Sequence, residues 1–355
     1  MKTFSGRLGL QQRVLPSYRA PFFDLLAQAC GGGMSLFAGL PRPSEGIATT
    51  DELRIANYKQ ADNIHLFGGP LYLCYQRGLT DWLADWNPDA LIAEANPRYL
   101  ATPSAVKWMR ARGRKVIGWG LGAPKLTPPR FLSQFDALIA YSRRGADEYA
   151  ALGFAREKIF VAHNAVAPAP KSRPDRRPEI TDHLTILFVG RLQARKRVDS
   201  LLRACAELDQ KVRLLIVGDG PEREGLEALA KQAYPSAEFI GAKHGEELRP
   251  YFAQADLFVL PGTGGLAVQE AMSHGLPVIV ARGDGTQDDL VRESNGWQIP
   301  PEDHAALVST LKTALSDGKR LRRMGEESFR IVSQEINLEK MVEVFMDVLN
   351  SVIQI

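Results

Sequence analysis

The chain is short of cysteine, of long apolar runs and of surplus charge. Its only cysteines are Cys30, Cys74 and Cys205, far apart and each inside an apolar stretch. An odd, scattered set argues against a disulfide framework and leads us to expect reduced core thiols in a cytosolic protein. No CxxC pair and no His/Cys cluster has metal-ligand spacing, so no bound metal and no other cofactor is expected. The opening MKTFSGRLGLQQRV lacks the apolar core of a signal peptide, and no run approaches the roughly 20 apolar residues that span a bilayer. The expectation is a cytoplasmic protein, attached at most peripherally to the inner membrane face. A net charge of +3 is too small to call for a nucleic-acid partner. No repeat of fixed period is visible.

What is present is an ordinary globular composition, 45% apolar and 24% charged, over 355 residues. That length exceeds one ordinary core and implies two domains of about 150 to 180 residues. Residues 167–183, APAPKSRPDRRPEITDH, combine four prolines with many charges and read as the linker. The expected organisation is an N-terminal α/β domain over 1–166, a second α/β domain over 184–335, and a last apolar-faced helix over 336–355 that needs a partner surface.

In the first half, residues 7–14, MSLFAGL, the LFGGPLYL region and ALIAEA read as strands or strand-like runs. Tyr18 and Arg19 lie on a Pro-bracketed loop after the first strand. Loops in that position face the ligand-binding edge of an open sheet, so the pair are candidates for contact with a second substrate. A Pro-fixed connection with an exposed arginine explains them equally well. PSAVKWMRARGRKVIGWG reads as a helix bearing Lys107, Arg110, Arg112, Arg114 and Lys115, followed by a strand. Contact of these cations with anionic lipid competes with a solvated helix end, and the second is the commoner case. At GWGLG, Trp119 and Gly120 are candidates for a cleft lining, with packing the competing role for Trp119.

In the second half the organising stretch is ADLFVLPGTGGLAVQEAMSHGLPVIVA, Ala255 to Ala281. A strand buried on both faces ends at Pro261, and Gly262, Gly264 and Gly265 then form a nearly bare loop. A helix follows from Leu266, so the loop's amides and the helix start form a place for an anion. Glu270, one helical turn on, projects near the same mouth, where its carboxylate can accept hydrogen bonds from sugar hydroxyls. Upstream, LTILFVGRLQARKRVDSLL places Arg191 directly after a strand and Lys196 near the next helix start. Two cations at that edge, opposite the bare loop, suit a diphosphate clamped from two sides. VRLLIVGDGPER is another strand and turn but not the dinucleotide fingerprint, because a third glycine is missing at the needed spacing. The backbone from Gly241 to Lys243 is placed to receive a flat base. His163 reads as a satisfied strand-end histidine and His244 as a surface helix-start residue.

Taken in order, GRLxxxK, IVGDGPER, FIG, ADLFVLP, GGLAVQEAM and HGLPVIV resemble the retaining, nucleotide-sugar-dependent glycosyltransferases of family 4, which have the GT-B architecture. The first half resembles that family through its strand alternation and the YSRRGADEYAALGFAREKIFVAHNAV run. The resemblance implies two Rossmann-like domains facing a cleft, with the C-terminal helix crossing back to the first. It implies a hexosyltransferase-like enzyme of cell-surface polysaccharide synthesis, moving sugar from a nucleotide-sugar donor to a hydroxyl of a glycan or lipid-linked acceptor. On the matching positions Arg191 and Lys196 stabilise the leaving diphosphate without a metal. Gly190, Gly241, Gly264, Gly265, Leu266 and Ala267 surround the donor, and Glu270 meets the ribose. One departure stands out: the family has a first glutamate eight positions before the second, and here that position is Gly262. Asp284 and Asp288, in the loop after the next strand, are candidate substitutes, and turn and helix-cap roles explain them equally well. Two other readings of the same residues are a nucleotide-sugar epimerase on this fold and a non-catalytic nucleotide-sugar-binding protein.

Overall fold

The computed structural model describes residues 2–124, 127–172, 184–264, 266–283 and 285–353. They fall into two compact units, one of Met1–Val166 with Leu338–Ile355, the other of Ala167–Asn337. Most of the expected linker, 173–183, lies outside the described residues, as do Gly265 and Asp284.

The first unit holds β1 (Leu8–Val14), β2 (Met34–Gly39), β3 (Asn57–Gln60), β4 (Asp62–Leu66), β5 (Leu73–Arg77), β6 (Ala90–Glu94), β7 (Lys115–Gly120), β8 (Ala137–Ala140) and β9 (Ile159–Val161). Seven of them form a parallel sheet in the order β3-β2-β1-β6-β7-β8-β9. Strands such as ALIA in β8 are buried on both faces because helices cover the sheet on each side. The LFGGPLYL region departs from the strand reading. It is the turn of an antiparallel hairpin, β4 paired with β5, in which Phe67 and Gly69 take left-handed conformations (φ 58° and 55°). The two glycines and Pro70 break an apolar run whose composition alone suits a strand.

The C-terminal helix Leu338–Val352 packs on the helix Ala20–Gln28 and on β8 and β9. Phe345 carries the contact, its ring centroid 5.1 Å from Phe22 and 5.0 Å from Trp119. Lys2 bonds Asp347 at 2.7 Å and Asn350 donates to the Thr3 carbonyl at 3.2 Å, tying both ends of the chain to one core.

The second unit holds β10 (Thr185–Val189), β11 (Arg213–Val217), β12 (Ala237–Gly241), β13 (Leu257–Leu260), β14 (Val278–Ala281) and β15 (Gly296–Ile299). All pair in parallel, in the order β12-β11-β10-β13-β14-β15. The order reverses between β10 and β13. In an open α/β sheet that reversal leaves a crevice beyond the strands' carboxyl ends, because successive helices leave on opposite faces. Each unit is thus Rossmann-like.

Candidate active site

In the second unit the loops after β10 and β13 meet at the reversal point. After β10 the chain makes a short turn at Ala194–Lys196, passes Arg197 in a left-handed conformation (φ 56°), and enters the helix Val198–Ala206. After β13 it runs through Gly262, Thr263 and Gly264 into the helix Leu266–Ser273. Two bonds strap the loops together: Thr263 N–H donates to the Arg195 carbonyl at 3.0 Å, and Lys196 Nζ donates to the Thr263 carbonyl at 2.7 Å. Gly262 is required by this approach, since a Cβ there would lie 2.1 Å from the Arg195 carbonyl oxygen. A Cβ on Gly264, at φ 121°, would lie 2.2 Å from Lys196 Nζ.

The loops after β10 and β11 interlock as well. Gly190 N–H donates to the Val217 carbonyl at 3.0 Å and Leu192 N–H to the Asp219 carbonyl at 2.8 Å. The GDGP turn is therefore a packing requirement, consistent with its failure to match a dinucleotide fingerprint. Gly241 ends β12 in a left-handed conformation (φ 86°), and Arg223 Nη1 lies 3.5 Å from where its Cβ would be.

The electrostatics of the mouth are unbalanced. Burial and the neighbouring Arg195 charge lower the Lys196 ammonium to about 8. Arg191 is exposed at the carboxyl end of β10 and makes no hydrogen bond or ion pair with a described residue. Glu270 is half-buried, its carboxyl pushed up by burial, and its carboxylate likewise pairs with no described residue. Leu266 and Ala267 begin the helix, where the first amides have no intrahelical acceptor. Cations at one loop, open amides at the other and a free carboxylate a turn away can hold a diphosphate and a polyol together.

Set against the residues singled out from sequence, the structure brings Lys196, Gly262 and Gly264 into contact. Arg191, Leu266, Ala267 and Glu270 lie on the adjoining segments of the same two loops. It adds Arg195, whose guanidinium comes within 4.0 Å of the Gly264 Cβ position. The adjacency of Arg195 to Lys196 was the available signal. Gln287 is also added: buried, it donates weakly to the Gly264 carbonyl at 3.5 Å. Asp288, offered as a replacement carboxylate, is exposed on the short helix Thr286–Leu290, and its side chain makes no hydrogen bond or ion pair with a described residue of the glycine loop.

In the first unit two expectations are corrected. Trp119 lines no surface: it is fully buried among Phe22, Phe23, Tyr141 and Phe345. Arg19 is 6% exposed and structural, its guanidinium bonding Asn164 Oδ1 and the Ala165 carbonyl and lying 5.6 Å from the Trp119 ring. Gly120 serves close packing, as a Cβ there would meet the Tyr149 hydroxyl at 2.6 Å. Tyr18 remains half-exposed beside Arg19. The basic segment is likewise engaged. Arg114 bonds Asn87 and Pro88, Arg110 bonds the Gln134 carbonyl, Lys115 pairs with Asp136, and Arg112 stacks 3.7 Å from the Trp108 ring. His244 caps a short helical turn at the surface. Among the described residues no group of three or more His, Cys, Asp or Glu side chains is disposed to hold a metal, and no helix is long and apolar enough to cross a membrane.

Residues 172–330, which lie within the second unit, match the family model described as glycosyl transferases group 1. The whole chain has the fold of GT-B glycosyltransferases. It is similar to the lipopolysaccharide outer core galactosyltransferase WaaB in its apo form, at a TM-score of 0.73 and 17% identity over 98% of this chain and 100% of that one. It is also similar to Anabaena Alr3699/HepE in complex with UDP, at a TM-score of 0.70 and 16% identity over 99% and 100%. Such identities establish the fold alone. Sequence likeness is higher but local: the sulfoquinovosyl transferase SQD2 of Arabidopsis thaliana is 35% identical over 147 residues, 40% of this chain and 28% of that protein. The chain spans at most half the length of the first curated relatives it matches.

Proposed function

We propose that the protein is a retaining glycosyltransferase that moves a sugar from a nucleoside-diphosphate sugar to a hydroxyl of a glycan or lipid-linked acceptor in cell-surface polysaccharide synthesis. The observation that carries this reading is the uncompensated charge at the β10/β13 reversal. Lys196 and Arg195 converge on Gly264, while Glu270, one turn along the helix that follows, has no partner for its carboxylate among the described residues. Cleaving a glycosyl–phosphate bond leaves negative charge on the departing diphosphate, and fixed cations with helix-start amides stabilise it where other folds use a metal ion. Arg191 supplies a further cation from the end of β10. A carboxylate at Glu270 meets hydroxyls of the nucleoside ribose. A neighbour of the same fold solved in complex with UDP supports the donor class, and a local likeness to a sulfoquinovosyl transferase supports sugar transfer.

The test is transfer itself. The full-length chain is incubated with a panel of nucleoside-diphosphate sugars and glycan acceptors, and free nucleoside diphosphate is measured. Arg191→Ala should lower turnover by roughly 10²–10³ if the residue stabilises transition-state charge. Absence of nucleotide binding across the panel, or near-normal transfer by Arg191→Ala and Lys196→Ala together, would remove the assignment.

A further inference from the structure

Lys196 combines features that a side chain used only for its charge does not need. Its Nζ donates to the Thr263 carbonyl at 2.7 Å, so the amine is held at one point beside the bare loop instead of swinging on its stem. Arg195 is aimed at the same point. Its Nε donates to Gln193 Oε1 at 3.0 Å, and its Nη1 lies 4.0 Å from the Gly264 Cβ position, which is itself 2.2 Å from Lys196 Nζ.

No acidic side chain pairs with Lys196 among the described residues. The carboxylates of the surrounding elements are engaged elsewhere or set back. Asp199 and Glu302 hold Arg197 at 3.3 and 3.5 Å, and Glu270 lies a turn along the helix that follows the loop. Gln287, which reaches the Gly264 carbonyl, is neutral. Arg191, the other cation that follows β10, has the same sign as Lys196 and Arg195.

A lysine so placed is a nucleophile as well as a cation. With burial and the Arg195 charge lowering its ammonium to about 8, roughly a tenth of it is free amine at pH 7, about 300 times the fraction of an ordinary lysine. Lower basicity takes back part of that gain, because intrinsic nucleophilicity falls with it. Position adds to what is left: an anion seated by Arg195 and the helix-start amides rests next to the amine, and holding two reactants together lowers the barrier between them.

A diphosphate gives this amine nothing to attack readily at neutral pH. An acyl phosphate does, since it joins the phosphate that the seat suits to an activated carbonyl carbon. We propose that Lys196 is a modification site at which an acyl phosphate, seated by Arg195 and the glycine loop, transfers its acyl group to Nζ. The neutral amine attacks the acyl carbon, the C–N bond forms, and the C–O bond to phosphate breaks. The amine's proton leaves with the phosphate, so amine and acyl phosphate dianion give amide and monohydrogen phosphate, with no change of oxidation state. The Thr263 carbonyl, already accepting from Nζ, steadies the positive charge on nitrogen before that proton is lost. The product is a neutral amide, and the seat has lost a cation. That this silences sugar transfer rests on the transferase reading above; the acylation itself does not.

The full-length chain is incubated with isotope-labelled acetyl phosphate, and the acetylated lysines are located and timed by peptide mass spectrometry. Nucleoside-diphosphate binding is followed in parallel by thermal shift. At pH 7 Lys196 should acetylate at least about tenfold faster than the median exposed lysine. Its rate should climb to about pH 8 and then level, while exposed lysines go on climbing towards their ordinary 10.5. Inorganic pyrophosphate should protect Lys196 and leave other lysines unaffected. Arg195→Ala, which keeps the main-chain carbonyl that accepts the Thr263 N–H, should slow Lys196 at least about fivefold. With p-nitrophenyl acetate, an acyl donor that carries no phosphate, the preference for Lys196 should be weaker. The acetylated chain should bind pyrophosphate about 10- to 100-fold less tightly. Acetylation of Lys196 no faster than of exposed lysines, no protection by pyrophosphate, an unchanged rate in Arg195→Ala, or the same preference with p-nitrophenyl acetate would overturn the inference. Selective, pyrophosphate-sensitive acetylation in a chain that neither binds nucleoside diphosphate nor transfers sugar would instead strike the transferase reading and leave the modification site standing.

Discussion

Lys196 offers a sharp test because its charge is costly until an anion arrives. In the free chain its ammonium titrates at about 8, against an ordinary 10.5, since burial strips water from it and Arg195 repels it. The folded value lies below the unfolded one, so the unfolded chain holds more protons between about 8 and 10.5, and this residue's contribution to stability rises with pH across that window. A bound diphosphate reverses the imbalance and returns the lysine to its charged form. At pH 8.5 the free lysine is mostly neutral, so nucleoside-diphosphate binding should take up about 0.7 proton, falling towards zero at pH 6.5. Affinity should be level below pH 8 and weaken by up to about tenfold per pH unit above it. Calorimetry at pH 8.5 in two buffers of different ionisation enthalpy reads the uptake directly. Lys196→Met is the control. It should bind nucleotide weakly without proton uptake, yet melt higher at pH 7, by about 1–2 kcal/mol once the lost bond to the Thr263 carbonyl is offset. Binding by the wild type with no proton uptake, or the same uptake in Lys196→Met, would refute the argument.

Glu270→Ala should weaken nucleoside-diphosphate binding by about 10- to 100-fold with little loss of stability, because the carboxylate has no protein partner to strand; isothermal titration measures the first and a thermal melt the second. Gly262→Ala should cost about 1–3 kcal/mol and lower nucleotide affinity as well, since its methyl meets the Arg195 backbone rather than a side chain that can move; denaturant melts with and without nucleotide separate the two effects. Phe345→Ala should cost about 3–5 kcal/mol by opening the core between Phe22 and Trp119, read by urea unfolding, and leave nucleotide affinity of the remaining folded chain unchanged. Treatment with a strong chelator should leave transfer within about twofold of the untreated rate, as cations and helix-start amides are proposed to stabilise the leaving group.

The sequence located strand ends well and side-chain directions poorly, and the difference is physical. A parallel strand buried on both faces announces itself by composition, as LFVL and VIVA do, and a bare glycine loop after it announces a close backbone approach. Those local signals placed Arg191, Lys196, Gly262, Gly264 and Glu270 on the correct edge of the second unit. Whether a strand-end residue faces a crevice or a helix depends on what packs there, and that comes from elsewhere in the chain. Trp119 and Arg19 sit at the expected edge of the first unit, yet the helix Leu338–Val352 arrives from the far end of the sequence and turns both into core. Periodicity reports burial one element at a time, whereas an unpaired charge is a property of several elements at once. Stability alone would not retain Lys196 or Glu270, since each is held desolvated without a counter-ion. Their cost is offset only if a ligand supplies the missing charge or hydroxyl, which is why binding at these positions, more than the fold around them, decides between an enzyme and an inert scaffold.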